Sequence, residues 1–221
     1  MAFRTLIIGA SGGIGQALAE RCAKDGEVVQ LSRRADGLDV SDEASIVRAI
    51  SRLDGAFDRV FVATGVLTAH RDRPEKKLGD CDPAELAALF AINAAGPLLV
   101  LKHLVPTLAR ERAVRIGVLS ARIGSIGDNG LGGWYAYRAS KAALNQLIRT
   151  AAIELRRTHA RATLLALHPG TVETPFTADF QDHHATVDAA TAADNLVRTL
   201  MAHGPEDSGS FWDQNGKPIA W

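Results

Sequence analysis

Tyr137 and Lys141 are the residues whose types and spacing most suggest chemistry in this chain. They lie in GGWYAYRASKAALNQL, residues 132–147, four positions apart. On a helix that spacing puts two side chains on one face, with Cβ atoms about 5–6 Å apart. Tyr135 is six positions from Lys141 and points elsewhere. A phenol ordinarily titrates near pH 10, too high for ready proton exchange at neutral pH. A neighbouring ammonium favours the phenolate and lowers that value, as would a nicotinamide carrying positive charge. Such a phenol can give a proton to a carbonyl oxygen while hydride arrives at carbon. Alone, Tyr-x-x-x-Lys has low specificity and reads first as the wet edge of a buried helix, so the surroundings must decide.

A second constellation is GASGGIG, residues 9–15, between an apolar run and a helical pattern. Gly9, Gly13 and Gly15 would let the backbone turn sharply and approach a ligand closely. The helix start behind them would offer unpaired N–H groups to a phosphate. The third is Ser32-Arg33-Arg34, closing the second apolar run. An acid at this point favours NAD, whereas guanidinium groups favour the 2′-phosphate of NADP. The expected cofactor is therefore NADP(H), with NAD(H) the alternative that Asp36 would support.

The elements that must position these groups alternate. Apolar runs at 5–10, 27–33, 58–65, 114–120 and 161–170 read as buried strands, and 209–221 as a strand, a turn and a tail. Between them, 14–26, 41–53, 82–108, a segment running to about Arg157, and 188–203 carry helical patterns. Pro97 is expected to kink the third of these or to mark a turn of looser geometry. Alternation of this kind predicts an α/β fold. We expect one Rossmann-type, doubly wound domain over residues 1–221. Its sheet would be mostly parallel, of about seven strands, with helices on both faces. A substrate loop is expected at about 175–190.

Composition sets the outer bounds. The chain has 221 residues, 47% hydrophobic and 23% charged, enough for a full core. Lys plus Arg and Asp plus Glu both number 25, so no basic excess points to nucleic acid or to a membrane surface. Cys22 and Cys81 are too few and too far apart for a disulfide framework or a zinc site. The start, MAFRTLIIGASGG, reads as neither signal peptide nor membrane span, and a cytoplasmic location is expected.

With these motifs in place, the chain resembles a short-chain dehydrogenase/reductase of the single-domain form. The resemblance rests on GASGGIG, LDV (38–40), Asn93, Ser120, YRASK (137–141) and HPGTVETP (168–175). The runs SARIGSIGDNGLGGWYAYRASKAALN and GSFWDQNGKPIAW look most like the C-factor-like and sniffer-like carbonyl reductase branch. The resemblance implies Tyr137 as general acid/base, with Lys141 holding the nicotinamide ribose and tuning it. Ser120 would orient the substrate carbonyl, and Asn93 would hold a water of a proton relay. Cofactor contacts are implied for Gly9, Ser11, Gly13, Ile14, Gly15, Ser32, Arg33, Arg34, Asp39, Val40, Ala63, Gly65, Pro169, Gly170, Val172 and Thr174. Asp39 could equally cap a turn.

Three departures from the family pattern stand out. Val62-Ala63-Thr64-Gly65 replaces the usual Asn-Asn-Ala-Gly. Counting back three residues from Gly124 lands on Ala121 where a serine is usual, with Ser120 one position early and Ser125 the other candidate. One residue along a strand turns a side chain to the other face. The segment after Thr174 is short, which suits an open pocket; Phe176, Phe180, His183 and His184 lie in it.

The expected function is an NADP-dependent interconversion of small-molecule carbonyl compounds and alcohols by hydride transfer. The alternative is a nucleotide-binding signalling or regulatory protein with incidental catalysis. A nucleotide-sugar epimerase would need more chain after residue 170. The alanine-rich helices suggest a homodimer or homotetramer.

Overall fold

The computed structural model describes residues 2–108, 110–173 and 186–221. Six strands form its centre: β1 (Phe3–Ile8), β2 (Gly26–Leu31), β3 (Arg59–Val62), β4 (Arg115–Leu119), β5 (Thr163–His168) and β8 (Phe211–Asp213). They make one parallel sheet in the order β2-β1-β3-β4-β5-β8. Two short strands, β6 (Thr171–Val172) and β7 (Thr186–Val187), pair apart from it. The expectation of about seven strands is thus met by six in one sheet and a two-stranded satellite.

The apolar runs form strands because both faces are covered. Along β1, Leu6 and Ile8 enter one core and Ile7 enters the other. Along β5, Leu164 and Ala166 alternate in the same way with Leu165 and Leu167. On one side lie α3 (Glu43–Ile50), α5 (Gly96–Leu104) and α6 (Tyr135–Thr158); on the other lie α1 (Gly13–Ala23) and α7 (Ala189–Ala202). Each large side chain fully buried this way contributes roughly 1.5–3 kcal/mol. A period-2 pattern buried on both faces is what a parallel sheet between helix layers requires.

Helix starts follow local chemistry. Asp42 caps α3, Asp82 caps α4 (Pro83–Phe90) and Asp188 caps α7, each by accepting a backbone N–H. Ser32 ends the β2 region earlier than the sequence suggested. Its hydroxyl accepts from Ala35 N at 3.1 Å and starts a four-residue helix, α2 (Arg33–Asp36).

The long apolar stretch at 82–108 is not one helix. A π-helical turn, Ala91–Ala95, separates α4 from α5, and Pro97 lies in the first turn of α5. The looser geometry expected near Pro97 is this turn. A window within Pro83–Thr107 reaches a mean hydropathy of 1.8, enough by length and composition for a membrane span. Here α4 packs on α6 and α5 on α3, as the helices of a core do.

After β1 the chain places β2 on one side of it and β3 on the other. That reversal opens a crevice at the carboxyl ends of β1 and β3, the usual place for a ligand in an open α/β sheet.

Candidate active site

The glycine turn lies in this crevice. Gly9 has φ +91°, and a Cβ there would stand 2.9 Å from the backbone carbon and oxygen of Ala63. A Cβ on Gly15 would stand 2.1 Å from the Gly9 carbonyl oxygen, so only glycine lets the helix start pack on the turn. Ser11 and Gly13 are exposed at the mouth, with Ile14 half-buried beside them. Unlike α3, α4 and α7, α1 begins without a side-chain cap, and unlike α3 and α4 it has no acid in its first turn. Its N–H groups therefore keep their partial positive charge for an anion, which fits a dinucleotide's phosphates.

At the end of β2, Arg33 and Arg34 are exposed and make no ion pair among the described residues. Asp36, the acid that could favour NAD, is turned back. Its carboxylate accepts from Ser32 N at 2.7 Å. Asp39 takes a turn-capping position, with Oδ1 accepting from Ser41 N at 2.9 Å and Ser41 Oγ at 2.6 Å. Those bonds hold its carboxyl below the usual carboxylate range, with Arg33 adding to the effect. Val40 is buried, and a Cβ on Gly96 would stand 2.9 Å from the Val40 Cβ.

Tyr137 and Lys141 both come to the buried face of α6, 7% and 4% exposed. The Lys141 ammonium lies 6.0 Å from the centroid of the Tyr137 ring and donates to the Leu119 carbonyl at 3.0 Å. Burial lowers its pKa from 10.5 to about 8. The sequence suggested a Tyr137 pKa lowered by this ammonium. The structure reverses that direction, because burial of the phenol dominates and raises it.

Gly65 closes the far side; a Cβ there would stand 3.2 Å from Asn93 Oδ1 and 3.4 Å from Lys141 Nζ. Asn93, fully buried in the π-helical turn, grips the loop after β3. Its Oδ1 accepts from Val66 N and its Nδ2 donates to Val66 O, both at 2.8 Å. Its own carbonyl loses the α-helical donor four residues on, because that residue is Pro97. Ala63 is tied to β1 through its N–H, at 2.7 Å from Ile8 O. The neighbouring Thr64 hydroxyl is buried without a hydrogen-bond partner among the described residues.

Ser120 comes directly after β4, and its hydroxyl is already committed. It donates to Asn145 Oδ1 on α6 at 2.6 Å, while Asn145 Nδ2 donates to Gly124 O at 3.4 Å. The expectation that Ser120 orients a substrate carbonyl therefore meets a brace between β4 and the tyrosine helix. Ser125 is buried and accepts from Asp128 N at 3.2 Å. Ala121, one residue past Ser120, packs on the apolar cluster that holds Tyr137.

At the end of β5, Pro169 is buried and Gly170 has φ +83°, close under Gln214. Val172 is buried in β6; Thr174 and most of the expected substrate loop lie outside the described residues. Burial, with the Arg122 guanidinium, brings His168 down to about 4, so its imidazole is neutral at pH 7.

Asn145, Glu75 and the placement of Trp134 were not read from the sequence as parts of the site. Asn145 had a signal. Tyr137, Lys141 and Asn145 recur every four residues, a polar stripe on one helix face. Glu75 had none, being one acid in a charged loop.

Comparison with known proteins agrees with this geometry. Residues 4–185 match the family model for short chain dehydrogenases. The C-signal of Myxococcus xanthus is 40% identical over 65% of this chain and 83% of its own. The 1-hydroxy-2-glutathionyl-2-methyl-3-butene dehydrogenase of Rhodococcus sp. (strain AD45) is 29% identical over 98% of both. Among solved structures, a short-chain dehydrogenase/reductase from Burkholderia multivorans with bound NADP superposes with a TM-score of 0.84. It is 26% identical, and each chain is covered fully.

Proposed function

The chain belongs to the short-chain dehydrogenase family, and we propose that it is an NADP-dependent reductase of aldehydes and ketones that also runs in reverse on alcohols. The observation that carries this is the buried Tyr137–Lys141 pair facing the glycine-lined crevice. The cofactor supplies the hydride. The crevice would hold its phosphates at the uncapped start of α1, and Arg33 with Arg34 would receive a 2′-phosphate. The withdrawal of Asp36 into the Ser32 cap, and the NADP in the Burkholderia relative, support NADP over NAD.

In reduction, Tyr137 acts as the acid. Burial raises its pKa, so the phenol keeps its proton at neutral pH until a carbonyl oxygen draws it. The Lys141 ammonium then steadies the phenolate left behind. The proton is restored along the α6 side of the site, where the Asn93 carbonyl, short of its helical donor, can hold a water. Gly9, Ser11, Gly13, Ile14, Gly15, Ala63, Gly65, Pro169, Gly170 and Val172 line the cofactor path in this reading, and Thr174 comes after them in sequence.

The likeness to the C-signal keeps a signalling protein with incidental catalysis as the second reading. The intact Tyr137–Lys141 pair weighs for the enzyme. NADPH and two free thiols, Cys22 and Cys81, suit a reducing cytoplasm. Phe90 and Ile153, 40% and 45% exposed on the alanine-rich α4 and α6, support a homodimer or homotetramer, which light scattering would reveal.

Titration with NADPH and NADH tests the reading. NADPH should bind at least about tenfold tighter, about 1.4 kcal/mol, and Arg33→Ala should level the two. Equal affinities in the parent protein would remove the arginine argument; binding of neither would overturn the reductase.

A further inference from the structure

Tyr137 belongs to neither of the two large cores. It sits in a third apolar cluster, against which Val66, Leu67, Leu86, Ala121, Ile123 and Trp134 pack half-buried. Half-buried side chains beside a reacting phenol are surfaces that a substrate meets. All six are apolar. A hydroxyl-rich substrate would lose hydrogen bonds to water there and regain few, whereas carbon and aromatic surface would be buried favourably.

Trp134 is the unusual member. Its φ of 53° is the only positive value at a non-glycine among the described residues, and it comes after Gly132 and Gly133, both at 65°. A bulky residue in the left-handed region is strained and persists only where its surroundings impose it. The constraints are visible. The Trp134 N–H donates to the Glu75 carbonyl at 2.6 Å, and its own carbonyl accepts from Arg138 N at 2.8 Å. Glu75, 2% exposed, also accepts from Ala136 N at 3.4 Å through Oε2. A buried acid and the first turn of α6 thus clamp the strained residue. Trp134 holds the N-cap position of α6 yet its side chain makes no cap. Its indole stands edge-on to Tyr137 instead, with centroids 6.2 Å apart and planes at 63°.

We infer that Trp134 is the specificity-determining residue of this site, selecting aldehydes and ketones that carry an aromatic ring beside the carbonyl. The ring would lie along the indole while Tyr137 meets the oxygen, an arrangement aromatic pairs favour. This rests on the reductase reading. It goes further in naming the substrate class and the residue that sets it.

The test compares kcat/KM for benzaldehyde and propanal, with NADPH, in the parent protein and in Trp134→Gly, Trp134→Asn and Trp134→Phe. Glycine and asparagine both accept the left-handed backbone, so either removes the indole without breaking the turn. NADPH affinity checks that each variant is folded. The parent should prefer benzaldehyde. Trp134→Gly and Trp134→Asn should lose about tenfold or more on benzaldehyde and little on propanal, and Trp134→Phe should keep most of the preference. An unchanged ratio, or equal losses on both aldehydes, would overturn the role of Trp134 and leave the reductase standing. Binding of NADPH with turnover of neither aldehyde by the parent would overturn the reductase reading and this inference together.

Discussion

Lys141 carries a charge that the fold has to hold out of water, and its cost can be measured. It is 4% exposed, its one hydrogen bond among the described residues goes to the Leu119 carbonyl, and no carboxylate there pairs with it. Burial lowers its pKa from 10.5 to about 8. An unfolded chain keeps that proton up to about pH 10.5, whereas the folded one releases it near 8. Between those values the unfolded state binds more protons, so stability must rise with pH across that window. At about 1.4 kcal/mol per pH unit, the whole gap is worth about 3 kcal/mol. Tyr137 limits the upper end. Its pKa is raised by burial, so its contribution is complete below pH 10 and is lost above it. Urea denaturation of cofactor-free protein at pH 7, 8, 9 and 10, for the parent and for Lys141→Met, isolates the lysine. The variant should be the more stable at pH 7, and most of its advantage should disappear by pH 10. A difference between the two curves that stays flat within about 0.5 kcal/mol would mean that the ammonium is solvated, and the account of the site's electrostatics would fail.

Two further outcomes are expected at the end of β4. Ala121→Ser places a hydroxyl against the Tyr137 cluster and should raise kcat for a carbonyl substrate about tenfold, less than the 10²–10³ that an evolved oxyanion donor is worth; an unchanged or lower kcat refutes the assignment of that position. Ser120→Ala should leave kcat within about twofold while costing about 1–3 kcal/mol in urea denaturation, because it strands Asn145 Oδ1; lost turnover with intact stability would return the catalytic role to Ser120.

The parallel sheet was legible because β1, β3, β4 and β5 are short apolar runs between glycines and helical patterns. Burial on both faces leaves just that trace. The spacing of Tyr137 and Lys141 put them on one helix face, and the glycine turn ahead of them gave that spacing its weight. What escaped depends on contacts between distant segments. Ser32 reads as the end of a strand until its hydroxyl is seen to cap α2. Ser120 and Ala121 are adjacent letters, and no local pattern says that one braces Asn145 while the other packs on the Tyr137 cluster. The direction of the Tyr137 pKa turned on burial, which periodicity hints at but does not quantify. Glu75 gains its meaning only from Trp134 and Ala136, about 60 positions away along the chain.

The π-helical turn at Ala91–Ala95 has a consequence for how this sequence can change in descent. Such a turn is an α-helix holding one surplus residue, closed here by the bond from Gly96 N to Ala91 O. Removing any single residue from the run would let the backbone close as an ordinary α-helix. The helices before and after it would keep nearly their present angle, because the wide turn closes one revolution with one residue more than an α turn does. What would move is the turn itself, and with it Asn93, whose side chain grips Val66 through two hydrogen bonds. The alanines of the turn can exchange for other small residues with little effect, whereas Asn93 needs both its side chain and the surplus residue that places it. A lineage that shed one residue there would keep its helix faces and give up the Asn93 grip on the loop after β3.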